Sequence, residues 1–358
     1  MNSVSKHDVI ADELAQEIFS GKYQKTGRLP SEQQLTRRFH VSRPTVARAL
    51  RDLCERGLLT RKTGSGSYIR QRKNPCFGLI YNSSDTISFF AVLADEITRS
   101  CRRRGYNLLS ENTAAKTADQ TIALALEAVR RLTEDDGAAG ILLEPFDLFP
   151  GCEEGNIRLL ELIRKSPVPI VLIDRDIVPF PDRSPYDLVG VDNFCATYRL
   201  TQHLIQNGAK KIIFVAETRA AVSTAQPRIA GISDAMLDAG LNLKNAHTFY
   251  GDPFNDRFAR TLLKTDPDAV ICVNDNTAAA LLQTFTRLGV QIPKDLKLAG
   301  FDNLDYTALL NPPLTTVNQP CDKIAETAVE MLLQRIATPH LPPRTLLLDA
   351  PLVVRTSA

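Results

Sequence analysis

The chain is 358 residues long, 44% hydrophobic and 23% charged, with a formal charge of +2, the make-up of a soluble globular protein with room for two or three cores. It has no run of about 18 apolar residues to span a membrane, and its charged start, MNSVSKHDVIADELAQEIFSG, lacks the apolar segment of a secretory signal. Cys54, Cys76, Cys101, Cys152, Cys195, Cys272 and Cys321 are odd in number and form no C-x-x-C pair or histidine-flanked cluster, which points to a reduced cytoplasm and against a metal site.

The charge is unevenly placed. Residues 1–73 hold 15 Lys+Arg against 7 Asp+Glu, a net of +8, while residues 74–358 hold 28 against 34, a net of −6. A small basic head on an acidic body is the footprint of a polyanion-binding module. Its first predicted helix runs from about His7 to Ser20, where Ile10, Leu14 and Ile18 recur every four residues and form one buried stripe. Ser31 starts a second helix, and Gln34 completes a capping-box pattern; Leu35 and Phe39 supply its apolar face. After a turn at His40-Val41, Ser42 can cap a third helix with Pro44 in its first turn. Val46, Leu50 and Leu53 then point inward, and Gly57 suits the helix end.

This arrangement leaves Arg43, Thr45 and Arg48 outward near the N-terminal end of the third helix, the end that presents base-contacting side chains when a helix enters the major groove. Arg43 can fork onto guanine, and Ser42 and Thr45 can reach phosphate. Leu58–Ile69 reads as two strands around Gly64-Ser65-Gly66, a wing flanked by Arg61 and Lys62. Taken alone, the helices also fit a generic three-helix domain with a solvated basic face. The words LPSE, VSRPTV, RALRDL, ERGLLTR and GSGSYI, in order and spacing across residues 5–70, resemble the GntR family of winged helix-turn-helix regulators. That resemblance implies that Arg43, Thr45 and the wing glycines touch DNA. The family usually has arginine where this chain has Ala47, which shifts part of the contact to Arg48 or Gln33. The expected DNA-contacting set is Gln33, Arg38, Ser42, Arg43, Thr45 and Arg48, with Arg61, Lys62, Gly64, Ser65 and Gly66 of the wing.

Residues 71–75 form a short polar joint ending in Pro75. Beyond it, apolar runs alternate with helical stretches near 89–104, 118–133 and 155–165. The runs are FGLIY (77–81), NLLS (107–110), GILL (140–143), PIVLID (169–174), DLVGVD (187–192), KIIFVA (211–216), DAVICV (268–273) and LKLAGFD (296–302). Such alternation predicts parallel sheets wrapped by helices. About eleven strands divide best into two lobes, with the ligand pocket between them beyond the strand carboxyl ends. Polar pairs stand at those ends: Asp174-Arg175, Asp192-Asn193, Asn274-Asp275 and Asp302-Asn303. Each taken singly is also an ordinary helix cap.

The segments VGVDNFCATYRLTQHLIQNGAKKIIFVAE, RIAGISDAMLDAG, AVICVNDNTAAALL and LAGFDNLDYTALLNPPLTTVNQP resemble the LacI/GalR effector domain, which is related to periplasmic sugar-binding proteins, over nearly all of 76–358. The resemblance implies an α/β fold: an N-terminal winged helix-turn-helix (1–70), a linker (71–75) and a two-lobed, parallel-sheet, periplasmic-binding-protein-like domain (76–358) for effector binding and dimerisation. Lobe 1 would hold about 76–209 and 319–339, and lobe 2 210–318 and 340–358. It also implies effector contacts from Arg228 and Asp275, from Phe89, Phe90 and Phe254, from Asp192, and from Gln319 at a crossover. An arginine fork donating to vicinal hydroxyls while a carboxylate accepts from them is sound chemistry for a sugar. Phenylalanine beside an apolar helix is as often core.

These observations predict a homodimeric transcriptional regulator, a repressor that binds an operator in double-stranded DNA and is controlled by a small sugar, without cofactor or membrane. GntR-like heads on LacI-like bodies occur in arabinose-responsive repressors, which favours a pentose. A purine or other metabolite suits Phe, Arg and Asp as well. An enzyme using the cleft is the remaining alternative, but the sequence holds no G-x-S-x-G elbow, no P-loop and no strand-borne G-x-G-x-x-G, and His7, His40, His203, His247 and His340 lack metal spacing.

Overall fold

The protein, as a computed structural model, is described here for residues 5–358 except 20–21, 24–25, 56–57, 63–65, 70–75, 84–87, 136, 148–150, 219–223 and 244–246. The head comprises α1 (Lys6–Phe19), α2 (Glu32–Phe39), α3 (Arg43–Glu55) and a hairpin of β1 (Leu59–Lys62) and β2 (Gly66–Ile69). The capping box at α2 is present. Ser31 Oγ accepts from the Gln34 amide at 3.3 Å, and Gln34 Oε1 accepts from the Ser31 amide at 2.8 Å. α2 stops at His40, which turns left-handed (φ 52°) and returns its amide to the Thr36 carbonyl. Ile10, Leu14, Leu35, Val46, Leu50 and Leu53 form the buried core. β1 and β2 are antiparallel, with Lys62 opposite Gly66. Gly57 and the wing tip, Gly64 and Ser65, lie outside the described residues.

The body is two six-stranded sheets. The first uses β3 (Cys76–Tyr81), β4 (Asn107–Asn112), β5 (Ile141–Leu143), β6 (Ile170–Ile173), β7 (Asp187–Val191) and β13 (Thr345–Leu348) in the order β13-β7-β6-β5-β3-β4, all parallel. Helices α4 (Phe89–Arg103), α5 (Ala118–Arg130), α6 (Cys152–Ile163) and α11 (Cys321–Ala337) cover it. The second uses β8 (Ile212–Ala216), β9 (His247–Tyr250), β10 (Ala269–Cys272), β11 (Lys297–Asp302), β12 (Thr315–Asn318) and β14 (Leu352–Val353). Their order is β14-β12-β11-β10-β8-β9, parallel except for β14. Its helices are α7 (Asn193–Gln206), α8 (Ala225–Asp238), α9 (Asp256–Leu263) and α10 (Asp275–Arg287). β5, β6, β7, β8 and β10 are buried at every residue, as strands of a sheet covered on both faces must be. That is why their runs read as continuously apolar.

Two expectations about the lobes are corrected. α7 packs on α8, β12 and β14 of the second lobe, so the first crossing falls at Asp192 and not near residue 209. β13 pairs with β7 of the first lobe, so residues up to Leu348 stay with that lobe instead of leaving it at 340. Alternation of strand and helix tells that a helix covers a sheet, not which of two sheets it covers. No helix among the described residues is long and apolar enough to cross a membrane.

The head is not detached from this body. Ala337, the last residue of α11, is buried within the head's core cluster. Just beyond it His340 Nε2 lies 3.4 Å from Asp12 Oδ2 on α1.

Candidate functional site

On the head, Gln33, Ser42, Arg43 and Arg48 are exposed and Thr45 is half-buried. The Ser42 and Thr45 hydroxyls bond each other at 2.8 Å. Arg43 leaves 80% of its side chain in solvent, with Nε 3.4 Å from Glu32 Oε2. Glu32 also holds Arg61 of β1 in an ion pair. One carboxylate of α2 therefore stands between α3 and the strand β1 and meets a guanidinium from each. The sequence reading passed Glu32 over; its signal is a lone acid in an otherwise basic face. The Lys62 side chain, Gly64 and Ser65 fall outside the described residues. Gly66 takes φ +114°, and a Cβ there would meet the Arg28 guanidinium at 2.9 Å.

Arg38 is corrected. Its guanidinium donates to Glu13 at 2.7 Å and Glu17 at 2.6 Å, and lies over the Phe39 ring. It ties α2 to α1, and Arg38 first among its neighbours holds the Glu17 carboxyl down at about 2. Two acids one turn apart on α1 have captured the charge that the sequence assigned to DNA.

The carboxyl ends of both body sheets face a cavity of about 480 Å³, where open α/β sheets place ligands and within the range of small-molecule sites. On the first lobe, Arg175 follows β6 and is buried among acids. Its Nε and Nη2 donate to Asp174 at 2.8 and 2.7 Å, its Nη1 pairs with Asp147 at 2.6 Å, and its Nη2 lies 3.6 Å from Glu144. Phe90 supports this cation from 5.3 Å and meets Phe89 edge-on at 4.9 Å. Asp174 takes a left-handed φ of 70°. Gly190 on the neighbouring strand makes room for the kink, since a Cβ there would sit 2.6 Å from the Asp174 carbonyl oxygen.

From the second lobe, Arg228 opens toward the same space. Nε donates to Asn193 Oδ1 at 2.8 Å, Nη1 donates to the Val273 carbonyl at 2.5 Å, and its face lies 3.5 Å from the Phe301 ring centre. Asp302 is left-handed (φ 123°) and accepts from Gln319 Nε2 at 2.7 Å. Gln319 is buried, and its Oε1 has no hydrogen-bond partner among the described residues.

Of the expected effector set, the fold thus brings Phe89, Phe90, Arg228 and Gln319 to one cavity. Three residues are placed otherwise. Asp275 is fully buried behind the wall, accepting from Thr316 Oγ1 at 2.6 Å and the Leu304 amide at 2.9 Å; the wall itself carries Asp302 and Asn274. Asp192 caps α7 by accepting from the Cys195 amide at 2.9 Å, and its neighbour Asn193 holds Arg228. Phe254 is 60% exposed outside the cavity, in a turn whose amide bonds Asp252 and whose carbonyl accepts from Arg287. Glu144 and Asp147 were missed, because acids after the short GILL run look like any polar loop.

Burial raises the Glu144 carboxyl to about 8, against the pull of Arg175 and the Asn82 amide. Burial also raises Asp174, opposed by Arg228, and lowers Arg175 to about 10. Asp275 rises through burial and then through the charge of Asp302. Asp174 touches Arg175 at 2.7 Å while Glu144 stands 3.6 Å off, so the guanidinium favours the charged form of Asp174 more than that of Glu144.

A profile of bacterial regulatory proteins of the gntR family matches residues 6–69, and one of periplasmic binding protein-like domains matches 201–358. The HTH-type transcriptional repressor PurR of Photobacterium profundum is 30% identical over 289 residues, 78% of this chain and 80% of that protein. The ribose operon repressor of Escherichia coli K12 is 31% identical over 287 residues, 78% and 81% of the two chains. The solved complex of the transcriptional regulator CelR with cellobiose has the same fold, with a TM-score of 0.66 at 22% identity over 89% of this chain and 92% of that one.

The Glu144 shift fixes a sign. Its carboxyl ionises near its ordinary 4.5 when unfolded and near 8 when folded, so the folded state binds the extra proton between. Its stabilising contribution is complete below about pH 4.5 and is lost as pH rises through 8. The thermal midpoint of the ligand-free protein should therefore fall between pH 5.5 and 8.5, by about 2–4 °C for each kcal/mol lost. Glu144→Gln should flatten that slope; an equal slope in the variant would mean that Glu144 ionises normally.

Proposed function

This chain belongs to the LacI-type family of transcriptional repressors, with a GntR-family head, and on that premise we propose that a sugar held between its lobes sets its grip on DNA. It is a ligand-responsive repressor. The observation that carries the sugar reading is the wall of the cavity. Arg228, Asp302 and Gln319 stand against Asp174, Arg175 and Glu144, so a ligand with several hydroxyls can donate and accept on both sides at once. A relative that represses a ribose operon and a structural neighbour that holds cellobiose agree with it. The relatives are repressors, and we read the cavity as regulatory and not catalytic.

On the DNA side, Arg43 of α3 reads guanine in the major groove. Ser42, Thr45 and Arg48 position the helix on the backbone, with Gln33 beside them, and Arg61 brings the wing toward the flanking phosphates. The repressor acts as a homodimer, so that two recognition helices meet successive major grooves about 34 Å apart. A ligand acts through its differential affinity for the two arrangements of the lobes.

The route to the head is α11. It begins two residues after Gln319 and ends at Ala337 in the head's core. Its 17 residues make a rod of about 25 Å, and a shift at Gln319 is passed to α1.

Arg43→Ala should weaken specific operator binding by about 1–3 kcal/mol and leave ligand affinity unchanged in titration calorimetry; loss of both would end the division of labour. Arg228→Ala should keep operator binding in a mobility-shift assay but no longer respond to ligand, and a normal response removes the pocket. For coupled sites a ligand changes operator affinity on the order of 5- to 150-fold. Ala337→Asp should bring that ratio close to one while each ligand still binds, and should speed amide exchange in α1. An unchanged ratio rules α11 out.

A further inference from the structure

We propose that the interlobe cavity selects an uncharged, hydroxyl-rich ligand and rejects phosphorylated and carboxylated sugars, an inference that rests on the sugar reading above. An anion site needs cationic donors with hydrogen bonds to spare; here all three nitrogens of Arg175 are turned to acids, and Arg228 has two of its three engaged. Arg175 gives Nε and Nη2 to Asp174 and Nη1 to Asp147, with Glu144 at 3.6 Å. Arg228 gives Nε to Asn193 and Nη1 to the Val273 carbonyl, with its face against Phe301.

The surplus in the wall is on the acceptor side. Among its described residues, Glu144, Asp147, Asp174, Glu217 and Asp302 outnumber Lys116, Arg175 and Arg228, and Asp275 lies one layer behind Asp302. Gln319 offers a buried Oε1 that lacks a donor, and an unmet buried acceptor favours a ligand that brings one. A hydroxyl supplies it at no charge. A phosphate, carrying about −1.5 to −2, would be set beside three carboxylates, and like charges so placed are disfavoured. With Arg175 and Arg228 set among these acids, the wall holds donors and acceptors side by side and suits a group that both gives and accepts, which an ammonium does not.

The test is isothermal titration of the full chain at pH 7.5 in matched sets. D-ribose is set against ribose 5-phosphate, D-glucose against glucose 6-phosphate, gluconate and glucosamine, and cellobiose and adenine are run alongside. At least one neutral sugar should bind, with its anionic partner weaker by about a hundredfold or more. Asp302→Asn, and separately Glu144→Gln with Asp147→Asn, should narrow that gap at least tenfold; Asp302 is only partly buried, so its variant stands if the double variant does not fold. A sugar phosphate or gluconate binding as tightly as its neutral partner overturns the charge selection and leaves the sugar reading intact. Glucosamine binding more tightly than glucose, or a gap unmoved in both variants, likewise overturns it. Adenine alone binding, or nothing, overturns the sugar reading and this inference with it.

Discussion

Three carboxylates close on one buried guanidinium at Arg175, and the first lobe's share of the cavity takes its form from that contact. Asp174, Asp147 and Glu144 come from the ends of two neighbouring strands, β6 and β5. No one of them could stay buried alone, since an unpaired interior charge costs several kcal/mol, and removing one partner of such a group costs roughly 3–5 kcal/mol. The cluster is thus a joint between strand ends, and it brings the left-handed turn at Asp174 with it. Charge is balanced there only in part, which leaves the cavity acidic and proton-holding instead of electrically quiet.

The second lobe answers with a different device. Arg228 is held by an amide, a carbonyl and an aromatic face, none of them charged, so its positive charge is answered by Asp302 of its own lobe and by Asp174 across the cleft. Two of the three crossings between lobes touch this arrangement directly. Asn193, next to the crossing at Asp192, fixes Arg228; Gln319, at the next crossing, binds Asp302. Connecting strands that double as cavity wall make lobe movement and ligand contact the same event, and a ligand spanning both lobes can shift their equilibrium only through such contacts.

Much of this was legible in the chain. The capping box at Ser31, the inward stripe of α3 and the buried parallel strands follow from local pattern, because one turn or one strand suffices to show them. Polar residues after strands mark the cavity for the same reason, and Asp174, Arg175 and Asp302 were visible there. What local pattern does not carry is partnership. Asp275 and Asp302 look alike after a strand, but Asp275 meets Thr316 and the Leu304 amide and turns away from the cavity. Arg38 looks like any exposed helical arginine until α1 folds back and offers Glu13 and Glu17. β9 lies at a sheet edge and its HTFY lacks the apolar run that betrays a central strand, whereas β13, Thr345–Leu348, is apolar but exposed and far along the chain from its partner β7. Phe254 followed the resemblance, and its turn, held by Asp252 and Arg287, points elsewhere.

The head is held to the body by more than the joint between them. Its basic charge and its helices suffice for a DNA-binding unit, and the short polar joint suggests a tether. A tether passes on little, since a flexible segment can limit distance but cannot impose orientation. Here α1 and α3 close their core over Ala337 of the body, and Asp12 faces His340. A helix that starts beside cavity-lining Gln319 and ends inside the head's own core is one packed element reaching from the cavity to the head, the kind of contiguous link through which two places can bias each other. Glu32 pairs with both Arg43 and Arg61, and α1, α2, α3 and β1 share one core with Ala337, so a displacement at Ala337 reaches every element of the head at once.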